Sequence, residues 1–96
     1  MEESIQIIGR VSGISLLEAR KKFSFSQLQM EEQGYKVYNP MKMVRSDAKW
    51  EAAMRICLDQ LLKVDAVAVQ PDWNLSRGAG IELVVANALG LQIIWL

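Results

Sequence analysis

Asp65-Ala-Val-Ala-Val-Gln-Pro-Asp-Trp-Asn-Leu-Ser-Arg-Gly-Ala-Gly-Ile-Glu82 is the stretch on which the reading of this chain turns. Asp65 to Gln70 is nearly all small or β-branched, with no polar alternation, as expected of a central strand covered on both faces. A glycine-containing loop follows, and Gly78 to Leu89 reads as a helix stopped by Gly90. An open α/β sheet binds ligands beyond the carboxyl ends of its strands, where helix N-termini aim free N–H groups. Glu82 falls at that place, a lone carboxylate among Gly80, Ile81, Leu83, Val84 and Val85.

Outward from this unit the chain alternates. Ile5 to Gly9 is a short apolar run ended by glycine, a first strand, followed by the loop Gly9-Arg-Val-Ser-Gly13. Ser15-Leu-Leu-Glu18 has the S-x-x-E form of a capping box and starts a helix. Leu16, Ala19, Phe23 and Met30 recur along it at helical spacing, Arg20, Lys21, Lys22, Glu31 and Glu32 are mostly solvated, and Gly34 stops it. Tyr35 to Tyr38 is a second strand closed by Asn39-Pro40, and Met41 to Asp47 reads as a polar connection. Asp47 to Lys63 places Trp50, Met54, Cys57, Leu58, Leu61 and Leu62 on one side of a helix, and Leu91 to Leu96 is a last apolar strand.

Four strands separated by three helices imply a doubly wound α/β domain, Rossmann-like or flavodoxin-like, with a parallel sheet and helices on both faces. The order 2-1-3-4 sets the loops after the first and third strands side by side at the switch point. Residues 1–96 have room for one such domain and one core.

Composition narrows the chemistry. Eleven basic and eleven acidic residues cancel, so no broad basic field exists to neutralise phosphates, and a nucleic-acid partner is not expected. Histidine is absent and Cys57 is the only cysteine, which removes Ser-His and Cys-His pairs, intrachain disulfides and multi-cysteine metal sites. Neither a metal nor a cofactor is expected, and acid–base work falls to carboxylates. No run approaches the roughly 20 apolar residues of a membrane span, and Met1-Glu2-Glu3-Ser4 has no signal-peptide character. A cytoplasmic protein without a membrane partner is the expectation.

Each candidate residue has a functional and a plain reading. A helix N-terminus favours the ionised form of Glu82, which nucleophilic attack on a sugar carbon requires; the same acid can simply complement the helix dipole. Ser76-Arg-Gly-Ala-Gly80 suits a phosphate or sugar hydroxyl but lacks the P-loop pattern, and Ser76 is also a good N-cap. Gly9, Arg10, Ser12 and Gly13 occupy the first loop, where anions usually sit in such sheets. Asp65 lies at the opposite end of its strand as a turn or capping residue, whereas Asp72 lies at the carboxyl end, within reach of a ligand. Trp73 beside it calls for a cover: a stacked base, a subunit contact or a local lid. Cys57 reads as a small buried hydrophobe, and Met41 and Met43 as packing or interface residues.

Taken together, Ile7-Ile-Gly-Arg-Val-Ser-Gly13, Phe23, Met30, Gly34-Tyr-Lys-Val37, Asn39-Pro40, Trp50, Asp65, Trp73, Ser76-Arg-Gly-Ala79 and Glu82 resemble the small bacterial and phage domains related to nucleoside 2-deoxyribosyltransferases. The resemblance covers nearly the whole chain. Ser76-x-Gly-x-Gly-x-Glu82 is also similar to the nucleophile segment of the 2-deoxynucleoside 5-monophosphate N-hydrolases, in which the serine contacts the nucleotide phosphate. The resemblance implies that Glu82 attacks the anomeric carbon of a nucleotide and expels the base, and that water or another base resolves the glycosyl-enzyme. It also implies that Ser76, Gly78 and the Gly9 to Gly13 loop hold the sugar phosphate and that Trp73 borders the base. Gln6 stands where the related enzymes have a tyrosine, Cys57 where they have the aspartate that assists the leaving base, and Ile8 where they have a small polar residue. Asp72 or Asp59 is then the substitute acid.

Three functions are carried forward: such an enzyme, a module that binds nucleoside or nucleotide without turnover, and an interaction protein that buries Trp73 and Trp95 against another subunit. A homo-oligomer is expected under all three, because a small chain has little interior in which to hide three tryptophans.

Overall fold

The computed structural model describes residues 2–96. Four strands, β1 (Ser4–Ile8), β2 (Lys36–Tyr38), β3 (Ala66–Val69) and β4 (Gln92–Trp95), form one all-parallel sheet in the order β2-β1-β3-β4. The helices are α1 (Leu16–Glu32), α2 (Pro40–Met43), α3 (Trp50–Leu61) and α4 (Arg77–Ala88). The doubly wound α/β class and the 2-1-3-4 order stand as expected from the sequence.

Every residue of β3 is buried, because β1 flanks it on one side, β4 on the other, and helices cover both faces. On one face Ile5, Ala66 and Ala68 pack with Met30 of α1. On the other, Ile8, Val67 and Val69 pack with Leu61 of α3 and with Ala79 and Ala86 of α4. The sheet is thus the middle of three layers, with α1 below and α3 and α4 above. Asp65 holds the amino ends of β1 and β3 together: its carboxylate accepts from the Ser4 N–H at 2.8 Å and from the Ser4 hydroxyl at 3.1 Å.

Local signals explain the helix limits. Ser15 caps α1 by accepting from the Glu18 N–H at 3.1 Å. At the other end Gly34 adopts φ +92°, and the Tyr35 N–H returns to the Met30 carbonyl at 3.1 Å, a Schellman closure. Three expectations are corrected. Met41 to Asp47 is not all connection, because Asn39 caps the short α2 by accepting from the Met41 N–H at 2.9 Å and Pro40 occupies its first position. Leu62 is the C-cap of α3 and 64% exposed, off the core face. Leu16 is also exposed, while Ser26, a polar residue, takes a core position on α1.

Ser26 is buried because Gln70, just past the end of β3, donates its amide to the Ser26 hydroxyl at 3.0 Å and to the Lys22 carbonyl at 3.2 Å. That amide lies across the backbone of Gly9. A Cβ at Gly9 would run into the Gln70 side-chain oxygen and come within 3.1 Å of the Gln70 Cβ. The Gln70 side-chain oxygen that faces Gly9 is a buried acceptor with no hydrogen-bond partner among the described residues. Gly9→Ala is therefore expected to displace Gln70 and to cost about 1–3 kcal/mol in urea unfolding. Gly80→Ala, in the helix with no atom within 4 Å of the new Cβ, is expected to stabilise by about 0.5–1 kcal/mol in the same assay.

Candidate functional site

A cavity of about 260 Å³ opens beyond the carboxyl ends of β1 and β3, between the first loop, the upper turns of α3 and the start of α4. Of the residues singled out from sequence, Gly9, Ser12, Ser76, Gly78 and Glu82 line it. Arg10, Gly13, Asp72 and Trp73 do not.

Ser76 caps α4 by accepting from the Ala79 N–H at 3.1 Å, so the plain N-cap reading is correct, and the same residue also borders the cavity. Gly78 has a packing role: a Cβ there would lie 2.9 Å from the Met54 sulfur and 3.7 Å from the Trp50 indole nitrogen. The missing side chain lets α4 approach α3 closely. Gly13 takes φ +87°, which lets the first loop turn over the Arg10 guanidinium.

Arg10 and Asp72 belong to a latch rather than to the cavity. The Asp72 carboxylate accepts from the Arg10 N–H at 3.2 Å and from Lys22 at 2.8 Å, and Lys22 also donates to the Arg10 carbonyl at 2.6 Å. The Arg10 guanidinium bonds back to the Ser12 carbonyl at 3.1 Å. Partial burial pushes the Asp72 carboxyl up, but the bonds from Lys22 and Arg10, with the Lys22 charge, outweigh it and hold the group below its ordinary value. An acid so committed, outside the cavity, does not serve a leaving group there. Trp73, in a 3-10 turn at Trp73–Leu75, packs on the α3–α4 side of the core and meets Trp95 with ring centroids 6.1 Å apart. Of the covers considered for Trp73, the structure supplies a local one.

Helix α3 contributes more than its pattern suggested. Trp50, Ala53, Met54 and Cys57 follow one another at positions i, i+3, i+4 and i+7, and all four line the cavity. The apolar stripe does not distinguish core from site: its lower end, with Leu61, is core, and its upper end, with Cys57, is site wall. The Arg77 guanidinium stacks over the Trp50 ring at 4.3 Å and fixes the indole from outside. Arg45 and Ser46, in the polar connection, complete the rim.

Glu82 is only 8% exposed and sits in the second turn of α4. Burial pushes its pKa up to about 7, with the Gln6 side chain pulling the other way. The pull toward the ionised form expected of a helix N-terminus is weak at Glu82, because the dipole fades beyond the first turn, and desolvation outweighs it. Gln6, fully buried on β1, donates its amide to the Cys57 carbonyl at 3.0 Å. Cys57 in turn is driven up to about 12 by burial and by the Glu82 charge, so its thiol stays protonated. Among the cavity-lining residues Glu82 is the one carboxylate. No three acidic, cysteine or histidine side chains converge as a metal site among the described residues, and no helix among them is long and apolar enough to cross a membrane.

A buried acid with a raised pKa makes stability depend on pH with a definite sign. The folded chain holds the Glu82 proton more tightly than the unfolded chain, whose value is near 4.5, so the contribution is full below that pH and is lost as pH rises through about 7. Glu82→Gln should remove this slope. Urea midpoints for Glu82→Gln and wild type are expected to diverge with rising pH, the substituted protein gaining up to about 3 kcal/mol relative to wild type between pH 4.5 and 8.5.

None of the curated proteins and none of the solved structures matches this chain. One family model, described as a domain of unknown function, DUF4406, matches residues 3–95. The match takes in all four strands, both site loops and Glu82, so the chain belongs to the DUF4406 family.

Proposed function

We propose that this protein is a nucleotide-processing enzyme, an N-glycosidase or a deoxyribosyltransferase-like protein, with Glu82 as nucleophile. The observation that carries the proposal is the placement of one nearly buried carboxylate in a cavity walled by Ser76 and the first loop, above the carboxyl ends of parallel strands. The resemblance to nucleoside 2-deoxyribosyltransferases and 2-deoxynucleoside 5-monophosphate N-hydrolases supports it.

In this reading a Glu82 carboxylate oxygen forms a bond to the anomeric carbon of a (deoxy)nucleoside 5-monophosphate as the C–N bond to the base breaks. The base leaves with the bonding electron pair and takes up a proton from water, and the water or base that later resolves the intermediate gives a proton back to solvent. Water, or a second base, then attacks the same carbon and frees Glu82. The Ser12 and Ser76 hydroxyls and the start of α4 hold the sugar phosphate, and Trp50 and Met54 take the place beside the base that was expected of Trp73. Because the attacking form is the carboxylate, kcat/KM should climb as pH rises through about 7 and level off above it.

A second reading is a module of the same fold that binds nucleotide without turnover, and Cys57 favours it. The protonated thiol at that position is a poor substitute for an acid that assists the leaving base, a contribution of about 10²- to 10⁴-fold. A panel of nucleoside 5-monophosphates, followed for free base by chromatography and for binding by calorimetry, separates the two. Base release by wild type, reduced at least about 10³-fold in both Glu82→Ala and Glu82→Gln, is the expected result. Release that survives either substitution removes Glu82 as nucleophile, and tight binding with no release establishes the module.

A further inference from the structure

We propose that a second copy of this chain docks against the outer face of α1, antiparallel, about a two-fold axis level with the midpoint between Ser26 and Gln27. Helix α1 buries Ala19, Phe23, Ser26 and Met30 against the sheet. A surface helix of this kind normally carries polar residues on its opposite side. Here the opposite side carries Lys21, Phe25, Leu28 and Glu32, spaced i, i+4, i+7 and i+11, with Phe25 67% and Leu28 61% exposed. Leu17, one turn earlier on the same side, is 63% exposed.

The order of those four residues singles out the occupant. Lys21 and Glu32 are equidistant from the helix midpoint, and so are Phe25 and Leu28. An antiparallel two-fold therefore sets Lys21 opposite Glu32 of the partner subunit and Phe25 opposite Leu28 of the partner subunit, each contact made twice. A parallel pairing would instead bring like charges together. In its own chain neither Lys21 nor Glu32 forms an ion pair among the described residues, where the bridges are Lys22–Asp72, Arg45–Asp47 and Lys63–Asp59. The two helix dipoles also oppose one another in this arrangement, which is favourable side by side.

The contact leaves the cavity free. Of α1 only its first residue, Leu16, lines the Glu82 cavity, and none of Leu17, Lys21, Phe25, Leu28 and Glu32 does, so each subunit of such a dimer keeps a site built from its own residues. The inference thus stands or falls apart from the proposed reaction.

Sedimentation equilibrium of the full chain at up to about 100 μM tests it, with far-UV circular dichroism verifying that each variant is folded. A dimer is expected for wild type, weakened at least about tenfold by Phe25→Glu and by either Lys21→Glu or Glu32→Lys alone. The combined Lys21→Glu/Glu32→Lys protein is expected to regain dimerisation, since both ion pairs re-form with charges exchanged. A wild-type monomer throughout the range, a dimer indifferent to Phe25→Glu, or a double exchange no better than the single changes would each overturn the proposal.

Discussion

Lys22 is where the site is held together. Its ammonium bridges the Arg10 carbonyl and the Asp72 carboxylate, and its own carbonyl receives the Gln70 amide, so one residue of α1 joins the loops after β1 and β3. Parallel strands offer these loops no hairpin to fix them. Without such a tie they would be free to separate, and the cavity between the first loop and α4 would have no defined wall. The side chains of the latch, about a quarter exposed, are shielded enough for the pair to hold but do not bear the full desolvation cost of a buried ion pair. Gln70 completes the tie by lying on Gly9, where only a hydrogen can be accommodated.

The electrostatics of the cavity run against folding. Glu82 is sunk among apolar side chains, with Gln6 and the neutral thiol of Cys57 near it and no cation directed at it. A chain selected for stability alone gains by placing an amide or an apolar residue there. Retention of an acid in such surroundings is the usual mark of a group kept for what it does, and the raised pKa keeps its two protonation states close in energy near neutral pH. The surrounding residues support the acid from a rigid frame, since Gln6 lies on a central strand and Cys57 and Glu82 on helices.

The fold was legible because its signals are collective. Four apolar runs, three intervening helices and glycine stops leave few arrangements, and the uninterrupted Ala66–Val69 run marks a central strand without knowledge of contacts. Glu82, Ser76 and the first loop were legible for the same reason, since topology alone carries them to one end of the sheet. Individual side-chain directions were not. Asp72 and Trp73 lie in the correct loop yet turn to Lys22 and Trp95, partners distant in sequence. Trp50 and Met54 were visible as an apolar stripe, but a stripe does not say where a core ends and a cavity begins. Asn39-Pro40 was read as a strand terminator, and it is equally the opening of a helix. The raised pKa of Glu82 was not legible because position along a helix is local information, whereas burial is not.

Strand β3 makes its ladder with β1, whose Ile5 pairs with Ala66, and with β4, whose Gln92 pairs with the same Ala66. No two strands adjacent in the sheet are adjacent along the chain without a helix between them. On the ribosome, then, β1 waits with one hydrogen-bonding edge open until Ala66–Val69 has emerged. Assembly of this small domain should accordingly be late, slow for its size and concerted, with the middle strand as the event that commits it.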